Sequence, residues 1–362
     1  MSKKILISVG PIPAKLDSVK FVTNRFKGGL ALKTAEYLAN EGNDVTIVAW
    51  KFTELETKLP VIRIDDVVDY YNKVLEYQAD AYILAAAVAN LMPSNPYEGK
   101  FPSHKYQVGE KFNIEFEIAP RVIDEVKKRY PRSTLIGYKL YDGNDEELIA
   151  AGTKTLFDST ANIVFANHPK WAKEKKIVLT QDGAIFECSF EEHCKLMNKV
   201  INEDFYTTIL TNQSETKLSD DEKLIVNIYP TFEKDGRTYG TFAIKRKSSF
   251  ITSTRGKKDG KDAVSEVFSV DHVKKQISAS KKATLNAPLL AKMFELNPNF
   301  TILLHGHNLI GKNVHNEYEF AGSTGDLKFA SKVKPCEEIL LTNHGNIVGF
   351  ENIKQFNEYI KG

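Results

Sequence analysis

The chain has 362 residues, 42% of them hydrophobic and 27% charged, a balance that suits two globular domains and excludes a disordered polymer. Lys and Arg number 49 against 47 Asp and Glu, so a net charge of +2 gives no cationic surface for nucleic acid. No apolar run approaches the ~20 residues that cross a bilayer, so no membrane partner is expected. The three cysteines, Cys188, Cys194 and Cys336, form neither a disulfide framework nor a C-x-x-C pair, which suits reduced thiols in a cytoplasmic setting.

The opening segment carries an apolar run too short for a signal-peptide core, and residues 4–9 (KILISV) read as a strand covered on both faces. Pro11, Pro13 and Asp17 break it into a loop. Gly28 and Gly29 then open a stretch with helical apolar spacing that stops at Gly42, and 44–50 (DVTIVAW) is a second buried strand. Further apolar strands fall at 82–90, 133–140 and 162–167, with helices at 119–130 and 145–157. Strand, helix and strand in alternation predict an α/β fold with a doubly wound, Rossmann-like, mostly parallel sheet. After about residue 200 the pattern changes. Segments 223–232, 239–246 and 249–254 read as short antiparallel strands, and 286–296 as a helix. Residues 301–307 read as a strand, 322–333 as a helix, and 338–350 as a strand pair turning at Gly345. The boundary is placed between 202 and 203. The run 255–263 (RGKKDGKDA) reads as an exposed loop.

In a doubly wound sheet, ligands bind beyond the carboxyl ends of the strands. Three segments fall at such ends. VKFVTNRFKGGLA (19–31) leads into a helix N-terminus, whose free amides at Gly28–Leu30 suit a phosphate. AAAVANLMP (85–93) has small residues, Ala86, Ala87 and Val88, that let a ring or ribose approach the backbone. GKFPSHK (99–105) brings Lys100 and Lys105. On residue type alone, Asn24 reads first as a turn or capping asparagine and Lys100 as a solvated lysine.

These three segments, in this order, resemble the phosphopantothenate–cysteine ligase family over residues 4–200, as do YKLYD (138–142) and IVFANHP (163–169). The resemblance implies joining of 4′-phosphopantothenate and cysteine through an acyl-nucleotidylate, with ATP or CTP and Mg²⁺. It assigns Asn24 to the acyl carboxylate and Lys100 to developing negative charge. Asp17, Lys20, Gly28, Gly29, Ala86, Ala87, Val88, Lys105 and Asn167 would line the nucleotide and substrate. Lys20 stands where the family has arginine, Lys27–Gly28–Gly29 where it has Ser-Gly-Lys, and Asn90 where it has aspartate.

In the second half, TILLHGH (301–307) places His305 and His307 two apart, on one face of a strand, and TNHGN (342–346) supplies His344. Three imidazoles with an open position suit a catalytic Zn²⁺ ion. Together with GTFAIKR, SFITSTRGK and AGSTGDLKFASKV, these motifs resemble the class II aldolase and adducin family. That resemblance implies an α/β/α domain with a mixed or antiparallel sheet over 203–362 and a metal centre of His305, His307 and His344. It also implies chemistry on a sugar phosphate, or a non-catalytic ligand-binding role. Asn286 stands where that family has its proton-transferring glutamate, and Thr241 where it has a substrate asparagine. His104, His168, His193 and His272 read as structural, His315 as a surface residue, and Asp326 as a helix cap or dipole partner. Both families build sites at subunit contacts, so the resemblance implies a homo-oligomer.

Overall fold

Continuous apolar runs become the inner strands of a parallel sheet wherever both faces are covered. A computed structural model describes residues 2–211, 216–229, 232–234, 237–255, 264–307, 311–314 and 317–361. The chain divides into two compact units, Met1–Gln181 with Glu187–Asn202, and Asp182–Phe186 with Glu203–Gly362. His315 and the loop 255–263 beyond Arg255 lie outside the described residues.

The first unit runs β1 (Lys4–Val9), α1 (Gly29–Asn40), β2 (Asp44–Trp50), β3 (Val61–Ile64), α2 (Val67–Glu76), β4 (Ala81–Leu84), α3 (Ile123–Arg129), β5 (Thr134–Leu140), α4 (Asp145–Asp158), β6 (Ile163–Asn167), β7 (Lys175–Thr180), β8 (Ile185–Ser189) and α5 (Phe190–Asn202). The sheet order is β8-β7-β6-β5-β4-β1-β2-β3. From β6 to β3 every pairing is parallel, and β7 is antiparallel to β6. Ile5, Ile7, Val9, Ile47, Ile83, Ile136 and Val164 are buried along the central strands. The chain passes from β1 to one side and later returns on the other, so β1 and β4 flank the topological switch point.

Two boundaries differ from the sequence reading. The run 82–90 leaves the sheet after Leu84, and Ala87–Val88 pair in parallel with Pro11–Ile12 instead. Gly10, at φ +83°, turns the chain there, and its carbonyl accepts the Ala87 N–H at 3.0 Å. The helix expected from 119 begins only at Ile123, because the residue before Pro120 is held extended.

The second unit contains β9 (Thr207–Leu210), α6 (Asp220–Ile228), β10 (Thr241–Lys245), β11 (Phe250–Ser253), β12 (Val264–Asp271), β13 (Gln276–Ala279), α7 (Ala287–Leu296), β14 (Ile302–Gly306), β15 (Lys312–Asn313), a 3₁₀ helix (Asp326–Lys332), β16 (Ile339–Leu341), β17 (Gly345–Phe350) and α8 (Ile353–Lys361). Its sheet order is β9-β13-β12-β11-β10-β14-β17-β16-β15. Only β9 with β13 and β15 with β16 run parallel; the other described pairings are antiparallel. Strand alternation sorts the side chains into two cores. Ala243, Leu303 and Ile347 pack toward Leu289, Leu290 and Met293 of α7. Phe242, Ile244, Ile302 and Leu304 pack on the opposite face toward Ile225, Val226 and Phe356. The result is an α/β/α layering. His305, two residues after Leu303, lies on the α7 face, which fixes the side from which a ligand would be held.

Residues 223–228 are helix rather than strand, within α6 (Asp220–Ile228), while Phe232 starts the strand Phe232–Lys234. The cause is local. The Ser219 side chain accepts from Glu222 N–H while the Glu222 carboxylate accepts from Ser219 N–H, a reciprocal cap that starts a helix. The segment 322–333 carries a 3₁₀ helix over Asp326–Lys332 only. Replacing Ser219 with Ala removes one half of the α6 cap and is expected to cost the second unit about 1 kcal/mol. Urea denaturation followed by a probe in that unit would measure it.

Candidate functional sites

The first site forms where β1 and β4 end. Asp17 is buried and collects the protein's own donors. Val19 N–H and Lys20 N–H donate to Oδ1 at 2.7 Å each, and the Lys20 ammonium donates to Oδ2 at 2.7 Å. Phe101 N–H also donates to Oδ2, at 3.2 Å, and Ser18 N–H donates to the Gly99 carbonyl at 3.0 Å. The backbone on both sides of Lys100 is therefore tied to the Asp17 turn, while the Lys100 and Lys105 side chains are exposed. Asp17 and Lys20 neutralise each other and hold two loops together. The Lys20 hydrogen bond keeps the Asp17 carboxyl well below the usual carboxylate range.

Asn24 is half-buried and its Nδ2 donates to the Ala87 carbonyl at 3.0 Å, joining the first loop to the small-residue segment. One amide hydrogen remains for a ligand. Ala86 N–H donates to Ser8 Oγ at 3.0 Å, and Val88 pairs with Ile12. Gly28 caps α1 with φ +80°. A Cβ there would stand 2.3 Å from the Gly10 nitrogen and 2.6 Å from its Cα, so only glycine allows this approach. Gly29 has open space around its Cα hydrogens, as an anion-binding helix start requires. Asn167 ends β6, two places along the sheet from β4. Its Nδ2 donates to the Phe165 carbonyl at 3.3 Å, while Oδ1 is buried without a hydrogen bond. Ser8, Gly10 and Phe101 complete this arrangement without having been singled out from sequence; the Gly-Pro step after β1 was the available signal.

In the second unit, His305, His307 and His344 place one ligand nitrogen each within 4.8 Å of one another. Their ring centroids are 5.0 Å apart for His305 and His307, 4.6 Å for His305 and His344, and 5.4 Å for His307 and His344. His305 and His344 are buried, and His307 is partly so. His305 Nδ1 faces the Asn346 carbonyl at 2.9 Å; as a donor to that oxygen, it presents Nε2 as the ligand atom. Asn346 Nδ2 donates to Glu338 at 3.0 Å, and Tyr359 OH donates to the other Glu338 oxygen at 2.6 Å. His344 sits in the turn before β17, and neither of its ring nitrogens makes a hydrogen bond. Burial pushes its pKa below the usual value, with Asp182 opposing the shift. A buried His344 ring with both nitrogens outside any hydrogen bond, its pKa pushed down by burial, fits a zinc-type ion. Gly345 makes the arrangement feasible. At φ +148°, a Cβ on it would stand 2.0 Å from the Gly306 carbonyl oxygen.

Asn286, next to α7, is buried with its Oδ1 lacking a hydrogen bond. Thr241 is occupied with Ser253 Oγ at 2.7 Å and Thr252 Oγ1 at 3.1 Å. Asp326 is the first residue of its 3₁₀ helix rather than the cap, which is Gly325. It is buried, and desolvation raises its carboxyl well above the ordinary range. The other described histidines have structural surroundings: His193 with Tyr138 OH at 2.6 Å, His272 with Tyr206 OH at 2.6 Å, and His168 with Asp142 at 3.3 Å, while His104 is exposed.

The first unit is an α/β fold whose glycine helix start follows the strand at the sheet's switch point, and the second unit carries the three histidines. Residues 1–203 match the DNA/pantothenate metabolism flavoprotein C-terminal domain, and the chain belongs to that family. It is 28% identical over 184 residues to the coenzyme A biosynthesis bifunctional protein CoaBC of Thermococcus kodakarensis, covering 49% of this chain and 44% of that protein. The chain thus spans less than half the length of this relative. Among solved structures, the DNA/pantothenate metabolism flavoprotein of Streptococcus pneumoniae is 21% identical with a TM-score of 0.48, covering 55% of this chain and 98% of that one. A Cab2 variant in complex with phosphopantothenate-cysteine is 15% identical with a TM-score of 0.46, covering 54% and 84%. YgbL of Escherichia coli, an aldolase/epimerase/decarboxylase candidate, is 14% identical with a TM-score of 0.27, covering 34% and 72%. No helix among the described residues is long and apolar enough to cross a membrane.

The depressed Asp17 carboxyl stabilises the fold above the unfolded carboxylate pKa of about 3.9, and the contribution is lost as pH falls below it. Asp17→Asn should therefore lower the urea midpoint of the first unit most at neutral pH. The gap to wild type should close progressively below about pH 4.

Proposed function

We propose that the first unit is a phosphopantothenate–cysteine ligase, activating the carboxylate of 4′-phosphopantothenate with ATP or CTP and Mg²⁺ and passing the acyl group to the cysteine amine. The observation that carries this reading is the convergence of Asn24, Ala87, Gly10 and Gly28 at the switch point of a family-matched domain. Nucleotide phosphates would meet the amides at the start of α1, where the helix dipole favours negative charge. The remaining Asn24 amide hydrogen would orient the pantothenoyl carboxylate toward the α-phosphate. Lys100, exposed on a loop anchored through Asp17, would close over the activated acyl group and stabilise its charge. Asn167, with its orphaned Oδ1, would accept from a substrate N–H or hydroxyl.

Purified protein supplied with 4′-phosphopantothenate, cysteine and either ATP or CTP should release pyrophosphate. Asn24→Ala should reduce that release at least 100-fold, and Lys100→Ala should lower kcat more than KM. No turnover with either nucleotide overturns the ligase reading.

The histidine trio favours a second activity or binding function in the other unit. His305, His307 and His344 would hold Zn²⁺, which when bound supplies a Lewis acid for a carbonyl or hydroxy-ketone oxygen. His305 contributes Nε2 because Nδ1 is directed at Asn346. The neutral amide of Asn286 cannot accept a proton, so it supplies no general base for carbon–carbon cleavage. The reading is therefore a metal site that binds a phosphorylated hydroxy-carbonyl compound. Elemental analysis should give about one Zn²⁺ per chain, and His305→Ala should abolish it. A metal-free wild-type protein after zinc loading and desalting rejects this reading and leaves the ligase reading untouched.

A further inference from the structure

Asp182 belongs to the second unit, although the rest of that unit begins only at Glu203. Its side chain is 3% exposed, and its Oδ2 lies 3.8 Å from Nδ1 of His344, itself 2% exposed at the side chain. The carboxylate is aimed by three donors. Tyr318 OH donates to Oδ2 at 2.8 Å, Ala321 N–H to Oδ2 at 3.4 Å, and Ala184 N–H to Oδ1 at 3.2 Å. The position is thus built, with a buried carboxylate turned toward a buried imidazole whose two nitrogens make no hydrogen bond.

We propose that Asp182, oriented by Tyr318, is the positioning residue for His344 in the three-histidine centre: it keeps the Nδ1–H toward itself and leaves Nε2 to the metal. The inference rests on the metal reading of that centre. An imidazole has two equivalent ways to bind a cation, and a fixed acceptor at one nitrogen selects the other. His305 uses a backbone acceptor for this purpose, the Asn346 carbonyl at 2.9 Å. Asp182 performs the same task for His344 with a carboxylate oxygen, 3.8 Å from Nδ1. Metal at Nε2 makes the ring more cationic, so the buried carboxylate attracts the loaded ring more strongly than the empty one. The carboxylate therefore favours the metal-bound state over the free one. It also means that a segment starting at residue 203 lacks a part of the metal centre. Sequence distance concealed this, because Asp182 precedes His344 by the whole of α5 and most of the second unit.

The test is Zn²⁺ affinity of the full chain, measured by competition with a chromophoric chelator, for wild type, Asp182→Asn and Tyr318→Phe. Asp182→Asn should weaken binding about 10- to 100-fold at unchanged stoichiometry. Tyr318→Phe, which keeps the ring and removes the donor, should weaken it about 3- to 10-fold. Metal-free melting temperatures should stay close to wild type, since a purely structural role would lower them and leave affinity alone. Affinities within twofold of wild type in both variants overturn the proposal while the metal centre stands. A wild-type chain that takes up no zinc overturns both. If Asp182→Asn does not fold, the Tyr318→Phe affinity decides, and an unchanged value overturns the proposal.

Discussion

Both sites depend on backbone segments approaching each other more closely than a side chain would permit. At Gly28 the start of a helix lies against the turn at Gly10, and a Cβ would meet backbone at 2.3 Å. At Gly345 the hairpin after β16 lies against the Gly306 carbonyl, where a Cβ would meet oxygen at 2.0 Å. Each contact draws two strand ends together and so gathers side chains remote in sequence. Without the first, the helix start moves off the switch point. Without the second, His344 moves away from His305 and His307.

Burial then gives these gathered groups their chemistry. In the first unit a charged pair, Asp17 with Lys20, holds the turn to which the loop carrying Lys100 is bonded, so the lysine side chain is exposed while the backbone on either side of it is tied down. In the second unit burial pushes the His344 imidazole's pKa down, which favours the ring form that keeps a lone pair for a cation. Their outer nitrogens meet oxygen at different ranges, a backbone carbonyl for His305 and a carboxylate for His344. In both units a second polar group faces a buried one at the site, the Lys20 ammonium for Asp17 and the Asn346 carbonyl for His305.

Much of the fold was legible because periodicity reports burial directly. The continuous runs at 4–9, 44–50 and 162–167 became inner strands, and the i, i+2 spacing of His305 and His307 placed both rings on one face. Residues 223–228 are helical despite their apolar content because the Ser219–Glu222 cap, a signal only two residues long, starts a helix there. The split of 82–90 had no periodic signal, since it follows the pairing of Ala87–Val88 with Pro11–Ile12, beyond the bend at Gly10 that ends β1.

The amino-acid order by itself determined the strand and helix content of each half, the glycine helix start, and the presence of three histidines suited to one ion. These are local properties, set by the period of burial and by backbone freedom at particular residues. Only the tertiary structure decided that Asn24 bonds to Ala87, that Phe101 closes on Asp17, and that Asp182 belongs with His344. Those pairings join residues 63, 84 and 162 positions apart, and no local propensity encodes them. They exist because packed sheets bring particular strand ends together, and a buried polar atom must then take the partner that the packing supplies.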